Sequence, residues 1–153
     1  MLKMKLRCLV AGAVLLAAMS APAGAMDKNY TRGTVWGLTM VRVEPGHGDD
    51  YLDSLKANFT TVMEQAIKEK VIVSYKILVG ESSGPHDWNV LIMTEGPNWA
   101  SIDTAEAKFD VIRAKLQGSV EKADAADKEL MTNRAKIRTI FGDKTMQEIH
   151  FVK

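Results

Sequence analysis

The pattern of apolar and polar positions divides the chain into strands and helices around one central hairpin. Two runs rich in Val, Ile, Leu and Tyr, at residues 71–81 and 88–95, flank the connection SSGPHD at residues 82–87. Apolar runs on either side of Ser, Gly, Pro and Asp predict two antiparallel strands joined by a turn. Because an isolated hairpin is only marginally stable in water, its apolar surface needs a further strand and covering helices.

The sequence on both sides of the hairpin supplies those elements. Residues 33–43 predict a first strand with two apolar faces, and residues 51–70 predict a helix with one apolar stripe. After the hairpin, residues 99–117 predict a second amphipathic helix that ends at Gly118. Residues 146–152 predict a last strand.

Residues 119–141 are additional to this plan. The segment is polar from Lys122 to Lys128 and becomes apolar from Leu130 to Phe141. It predicts one added helix or a helical pair before the last strand. Because no repeat or low-complexity linker divides the chain, we expect residues 26–153 to form a single domain.

The order of these elements, β-α-β-β-α-β, predicts an α+β fold of the ferredoxin-like type. Right-handed crossovers place the first two strands parallel, with the third strand between them and antiparallel to both. The fourth strand then pairs with the free side of the first. The result is an antiparallel sheet with both main helices on one face.

The opposite face of the predicted sheet is also apolar, which predicts a partner. Two sets of first-strand residues are possible for that face: either Trp36, Leu38 and Met40, or Val35, Val41 and Val43. Exposing a face of several hundred Å² would cost on the order of 10 kcal/mol. We therefore predict a homodimer joined through the open faces of the sheets. The segment 119–141 is the alternative cover, but its first part is too polar to lie on a sheet.

The first 25 residues have the three parts of a secretory signal peptide. Three Lys and Arg residues within the first seven positions precede an apolar run at residues 8–19, and Ala23-Gly24-Ala25 fits a small-x-small cleavage site. The apolar run is too short to span a membrane. We therefore expect a periplasmic or secreted protein that is not held in a membrane once residues 1–25 are removed.

Removing the leader changes the charge and the cysteine content. The whole chain has a formal net charge of +1, of which the leader contributes three positive charges and no acid, so residues 26–153 carry −2. With no stripe of Lys and Arg, the composition argues against nucleic-acid binding. The only cysteine, Cys8, lies in the leader, so the mature chain has neither a disulfide nor a cysteine nucleophile.

Two short stretches resemble the dimeric α/β-barrel superfamily, the antibiotic-biosynthesis-monooxygenase-like proteins. Residues 43–46 (VEPG) followed by residues 51–52 (YL) resemble the strand–PG–helix opening of that family. Residues 89–95 followed by Trp99 resemble its third strand and the start of its second helix. The resemblance covers roughly residues 34–117 and the last strand. It implies that two sheets face one another across a dimer, and that ligands lie between sheet and helices or inside the barrel.

This resemblance leaves two classes of function open. The first is an exported protein that binds a small apolar molecule or a partner without catalysis. The second is a cofactor-independent monooxygenase or isomerase that acts on a small organic substrate in the barrel cavity. Haem-degrading members of the family present an axial histidine from the second helix, whereas this chain has no histidine between His86 and His150. We therefore expect no cofactor.

Four polar residues on the predicted strands are candidates for the catalytic alternative. Such an enzyme needs a polar group that faces an apolar pocket, to position a substrate or move a proton. Tyr75, Asn89, Arg42 and His150 meet this description. No two of them have a spacing that is diagnostic of catalysis, which favours the binding function.

Histidines and acids in two loops suggest a separate hypothesis, a metal ion at one rim of the sheet. The predicted topology brings His47, Asp49, Asp50, His86 and Asp87 to the same end. Two imidazoles and a carboxylate are common ligands of zinc or non-haem iron. No compact motif such as H-E-x-x-H supports this site, and histidines in loops rich in Gly and Pro are usually only solvated. We therefore expect no bound metal.

Overall fold

In the computed structural model, which describes residues 29–152, a four-stranded sheet carries helices on one face. In chain order the elements are β1 (Tyr30–Val43), α1 (Gly48–Ser54), a π-helical turn (Leu55–Phe59), α2 (Thr60–Lys68), β2 (Ser74–Val79), β3 (Val90–Gly96), α3 (Trp99–Asp103), α4 (Ala105–Gln117), α5 (Val120–Arg134) and β4 (Arg138–Phe151). The predicted leader at residues 1–25, with its cleavage site, lies outside the described residues. Within the described part of the chain, no helix combines the length and the apolar character needed to cross a membrane.

The strand order is β2-β3-β1-β4, and every neighbouring pair is antiparallel. β3 therefore lies between β1 and β2, and β4 pairs with the free side of β1. This topology confirms the ferredoxin-like α+β fold predicted from the order of elements. β1 and β4 have 14 residues each, and their pairing runs from Tyr30 opposite Phe151 to Val43 opposite Arg138.

The structure shows which face of the sheet the helices cover. One buried cluster on that face comprises Val41, Val43, Tyr51, Leu55 and Val90. A second cluster joins α2, the loop before β2 and α4, and comprises Met63, Ala66, Val71, Ile72 and Ile112. Because side chains alternate along a strand, the set Val35, Val41 and Val43 faces the helices and the set Trp36, Leu38 and Met40 lies on the other side.

We call that other side the open face. By alternation and register, its apolar residues come from all four strands: Trp36, Leu38, Met40, Leu78, Leu91, Met93 and Met146. None of these seven residues is buried, and the exposed fractions of Leu78 and Met146 are 53% and 54%. Charged residues also lie on the face, since Lys76 Nζ is 4.9 Å from the centroid of the Trp36 ring. The open face is thus an apolar patch with charged residues among its neighbours.

The C-terminal third of the chain differs from the prediction. The additional helix ends at Arg134 instead of continuing to residue 141, and Ile140 and Phe141 belong to β4. β4 begins at Arg138, whereas the sequence pattern predicts a strand at residues 146–152. Gly142, which directly follows the segment predicted as helical, lies inside β4 with a φ angle of 155°. α5 packs on α4, on the helical side of the sheet, and so it does not cover the open face.

Smaller differences concern the bounds of other elements. The first strand begins at Tyr30 instead of residue 33, and the hairpin strands are shorter than predicted because their connection extends over residues 80–89. The helix predicted at residues 99–117 is divided at Thr104 into α3 and α4. Gly118 ends α4 as predicted, in the left-handed conformation with φ 89°.

Candidate functional site

A cavity of about 510 Å³ lies between the helices and the sheet. We call it the interhelical cavity, because the π-helical turn, α2, α4 and α5 surround it and Thr94 of β3 contributes from the sheet. Its lining comprises Ala57, Asn58, Phe59, Thr61, Val62, Met63, Thr94, Phe109, Arg113, Leu116, Gln117, Ala126, Asp127, Leu130, Met131 and Arg134. Small-molecule sites in proteins typically enclose about 300–1,000 Å³. The cavity therefore has the size of a ligand site.

Most of the side chains that line this cavity are apolar. The larger ones are Phe59, Val62, Met63, Phe109, Leu116, Leu130 and Met131. Behind them, the ring of Phe59 meets the ring of Tyr75 edge to face, with centroids 5.6 Å apart and an interplanar angle of 86°. Such a lining favours a ligand with an apolar body, because each Å² of apolar surface removed from water stabilises the complex by roughly 25 cal/mol.

Arg134 of α5 places a buried charge at the cavity. The residue is only 6% exposed. Its Nε donates to Ser54 Oγ at 2.9 Å, and its Nη2 donates to the Ser54 carbonyl at 2.8 Å. These hydrogen bonds join α5 to the end of α1, where the π-helical turn begins.

The π-helical turn itself is a feature that the sequence pattern did not predict. Residues 51–70 were expected to form one α-helix, whereas here the Thr60 amide donates to the Leu55 carbonyl, five residues earlier. The Ser54 carbonyl accepts a second side-chain hydrogen bond, from Asn58 Nδ2 at 3.1 Å. Short π-helical turns of this kind occur frequently at functional sites.

Two guanidinium groups lie against the ring of Tyr51. The Cζ atoms of Arg134 and Arg138 are 5.8 Å and 5.7 Å from the ring centroid. Burial raises the pKa of Tyr51, and the positive charges of Arg138 and Arg134 oppose that rise. Burial also lowers the pKa of Arg134; Tyr51 opposes this shift, Arg138 adds to it, and Asp127 opposes it. Positive charge is therefore concentrated beside this buried phenol ring.

An ion pair joins α4 and α5 at the cavity lining. Arg113 Nε is 3.1 Å from Asp127 Oδ2, and the two side chains are 31% and 44% exposed. Arg113 also pairs with Asp110, one turn earlier on α4. Ion pairs with this degree of exposure contribute only about 0–1 kcal/mol. This pair therefore positions charge at the cavity more than it stabilises the fold.

Two of the predicted catalytic candidates, Arg42 and Asn89, lie at a second and smaller cavity of about 210 Å³. Asn89 Oδ1 accepts from the Val43 amide at 2.8 Å, and its Nδ2 donates to the Val43 carbonyl at 3.2 Å. Arg42 Nη1 donates to the Pro85 carbonyl. Both side chains bind backbone groups, and together they attach the connection at residues 80–89 to the end of β1.

The other two candidates lie elsewhere. Tyr75 packs against Phe59, behind the lining of the interhelical cavity. His150 is exposed on β4, with its Nε2 3.9 Å from Glu148 Oε2. The structure therefore brings Arg42 and Asn89 together but does not bring all four candidates to one pocket.

The hypothesised metal site at the rim is not assembled. Among residues 29–152, no group of three or more His, Cys, Asp or Glu side chains is arranged to hold a metal ion. His47 Nδ1 contacts Asp50 Oδ2 at 3.1 Å within α1 and its N-terminal flank. The Asp87 carboxylate accepts from the amides of Ser83 and Trp88, and these hydrogen bonds lower its pKa. His86 takes part neither in the contact between His47 and Asp50 nor in the hydrogen bonds of Asp87.

Sequence reasoning missed the three charged residues of the interhelical cavity, Arg113, Asp127 and Arg134. One signal was present for Arg134. It lies four residues after Leu130 and three before Ile137, so it occupies the apolar stripe of the segment instead of its polar side. A charged residue at such a position indicates either a buried partner or a binding site.

The comparisons with known proteins concern the fold. No family model and no curated protein matches the sequence. The structure is similar to HapK from Hahella chejuensis, with a TM-score of 0.48 and 6% identity, covering 74% of this chain and 91% of that chain. It is also similar to a dimeric ferredoxin-like protein from an uncultured marine organism, with a TM-score of 0.45 and 12% identity, covering 80% of this chain and 96% of that chain. The ferredoxin-like fold follows from the strand order itself, and the dimeric α/β-barrel superfamily stays a resemblance.

Proposed function

We propose that this protein is an exported homodimer that binds a small, largely apolar molecule in the interhelical cavity. The cavity is the observation that carries this function, because a half-open space of about 510 Å³ is lined mainly by apolar side chains of the π-helical turn, α2, α4 and α5. Small-molecule sites in proteins are typically concave, mostly apolar spaces of this size. A space of this size beside the core therefore favours a bound molecule.

The composition of the lining favours binding over catalysis. Its ionisable residues are Arg113, Asp127 and Arg134. Arginine does not release its proton at physiological pH, so neither arginine is suited to general acid or base catalysis. Asp127 is the one carboxylate of the lining, and it is paired with Arg113. A cofactor-independent monooxygenase or isomerase would need a free proton-transfer group at this place.

The homodimer is supported by the open face. Its apolar residues belong to all four strands, and both buried clusters lie on the other side of the sheet. A second copy of the chain offers an equally apolar surface related by a twofold axis, as in most homodimers. The resemblance to the dimeric α/β-barrel superfamily implies the same pairing of sheets.

A neutral apolar dye tests the binding function. We expect N-phenyl-1-naphthylamine to bind with saturable fluorescence and a stoichiometry of one dye per chain. The substitution Leu130→Trp adds an indole ring to the cavity lining and should abolish this binding, because the dye and the ring would compete for the same volume. Fluorescence titration with excitation above the tryptophan band measures both proteins.

Val111→Trp is the matched control, since it introduces the same side chain on α4 at a residue that is 65% exposed and does not line the cavity. It should bind the dye as the unchanged protein does. Equal dye binding by the Leu130→Trp protein, with a circular dichroism spectrum that shows a folded chain, would contradict the cavity as the binding site.

The proposed export is supported by the pattern of residues 1–25 and has its own test. The basic residues, the apolar run and Ala23-Gly24-Ala25 predict cleavage after Ala25. N-terminal sequencing of protein recovered from the periplasm or the medium should begin at or next to Met26. Recovery of a membrane-bound chain that still carries residues 1–25 would contradict export by cleavage.

A further inference from the structure

Among residues 29–152, Arg134 is a buried cation that forms no ion pair with a carboxylate. Ser54 accepts two of the five N–H groups of its guanidinium, and both acceptor atoms are uncharged. None of the ion pairs formed within residues 29–152 includes Arg134. Because arginine is rarely fully buried unless it is paired, an uncompensated guanidinium at a cavity lining indicates an anion that is supplied from outside the chain.

Arg138 adds to the positive potential around Arg134, and Asp127, which opposes it, makes its ion pair with Arg113. Arg138 lies against the same Tyr51 ring, at 5.7 Å from its centroid. The Nε of Arg138 is buried without a hydrogen-bond partner among the described residues, and its Nη2 contacts the Met131 sulfur, a weak acceptor. Met131 lines the cavity. The guanidinium groups of Arg134 and Arg138 therefore both lie against the uncharged ring of Tyr51, at this side of the cavity.

The cavity lining also carries more positive than negative charge. Two arginines and one aspartate line the cavity, which leaves an excess of one positive charge. The aspartate, Asp127, already pairs with Arg113. Asp127 of α5 is therefore paired with a residue of α4, and it does not form an ion pair with Arg134.

We infer that the ligand of the interhelical cavity is an acid, an apolar molecule whose single carboxylate pairs with Arg134. This inference rests on the proposed binding function and adds the chemical class of the ligand. The apolar body lies against the side chains from α2, α4 and α5, and the carboxylate accepts hydrogen bonds from the guanidinium N–H groups that Ser54 leaves free. A charge-assisted pair of this kind is stronger than a neutral hydrogen bond and is strengthened further by burial.

Two probes of equal chain length test the inference, decanoate and decan-1-ol. Each is titrated against the purified protein by displacement of N-phenyl-1-naphthylamine at neutral pH, below the concentrations at which they form micelles. We expect decanoate to bind about tenfold more tightly than decan-1-ol, since a hydrogen bond between two charged groups is stronger than one to a neutral hydroxyl. Sodium naphthalene-2-carboxylate and 2-methylnaphthalene form a second pair, which shows whether the apolar body is aliphatic or aromatic.

Two substitutions assign the preference to the named charges. Arg134→Gln removes the cation and should reduce the acid-to-alcohol preference to about one, while decan-1-ol still binds. Asp127→Asn removes the only acid of the lining at a residue whose side chain is 44% exposed, so the fold should be unaffected. It removes a negative charge from the lining while Arg113 keeps its pair with Asp110, and it should tighten decanoate several-fold more than decan-1-ol. If the Arg134→Gln chain does not fold, the Asp127→Asn chain decides the question alone.

The outcomes separate this inference from the proposed function. Equal affinities for acid and alcohol in the unchanged protein, or a preference that neither substitution alters, would overturn the inference while the dye still shows a binding site. Failure of the dye itself to bind would overturn the binding function, and the inference with it. A preference for decanoate that is lost in Arg134→Gln and increased in Asp127→Asn supports both.

Discussion

Replacing Leu38 by arginine should convert the protein from a dimer to a monomer. Leu38 lies at the middle of β1, opposite Met93 of β3, within the open face. In the proposed dimer this position is covered by the partner sheet, and each 100 Å² of apolar surface removed from water there contributes about 2.5 kcal/mol. Leu38→Arg would remove part of that gain and bury a charge without a partner, which costs several kcal/mol more. An interface of standard size, about 800 Å² per partner, would not tolerate both effects at its centre.

Sedimentation equilibrium at micromolar concentration measures the result. The unchanged protein should have the mass of two chains and the Leu38→Arg protein the mass of one. Val111→Arg is the matched control, because it adds the same charge at a residue of α4 that is 65% exposed and remote from the open face. A single-chain mass for the unchanged protein would refute the dimer, and a dimeric Leu38→Arg protein would refute this interface.

The fold could be predicted from the sequence because strand order follows from very few physical rules. The sequence of elements and the handedness of the crossovers place four strands in one arrangement, and the structure has that arrangement. The identity of the open face could not be predicted. Both Val41 and Met40 are apolar, so only the packing of the helices shows that Val41 is buried and Met40 lies on the open face.

The bounds of β4 show where local sequence signals fail. Gly142 and Asp143 form a pair typical of turns, so the local sequence pattern places the end of a helical segment just before them. In the structure Gly142 pairs with Met40 of β1, next to an irregularity in register between Met40 and Val41. Glycine inside a strand often marks such a bulge. The length of β4 follows from its pairing with β1, which runs from Tyr30 to Val43, and no local window of sequence contains that partner.

The candidate site was harder to predict than the fold, because its chemistry depends on which charges lack partners. Sequence patterns identified loop histidines and strand residues as the polar groups of interest. The cavity is instead lined by Arg113, Asp127 and Arg134, which belong to helices and resemble ordinary surface charges in the sequence. Whether an arginine has a carboxylate beside it depends on how α4 and α5 pack. The one sequence signal was the position of Arg134 in an apolar stripe, which distinguishes it from an ordinary surface arginine.

Helix α4, which contributes to both the core and the cavity lining, provides the last prediction, a loss of stability on truncating Ile112. This residue of α4 is 0% exposed and belongs to the buried cluster with Met63 and Ala66 of α2. Ile112→Ala removes three carbon atoms from a space that the neighbouring helices cannot fully refill. The free energy of unfolding should fall by about 2–5 kcal/mol, the range for such truncations in protein cores.

Val111→Ala is the matched control for this truncation, one residue earlier on the same helix but 65% exposed. It should change the free energy of unfolding by no more than about 0.5 kcal/mol. Urea denaturation followed by circular dichroism, at one fixed protein concentration because a dimer makes stability concentration-dependent, measures both proteins. An Ile112→Ala protein as stable as the control would mean that α4 does not pack on α2 as described.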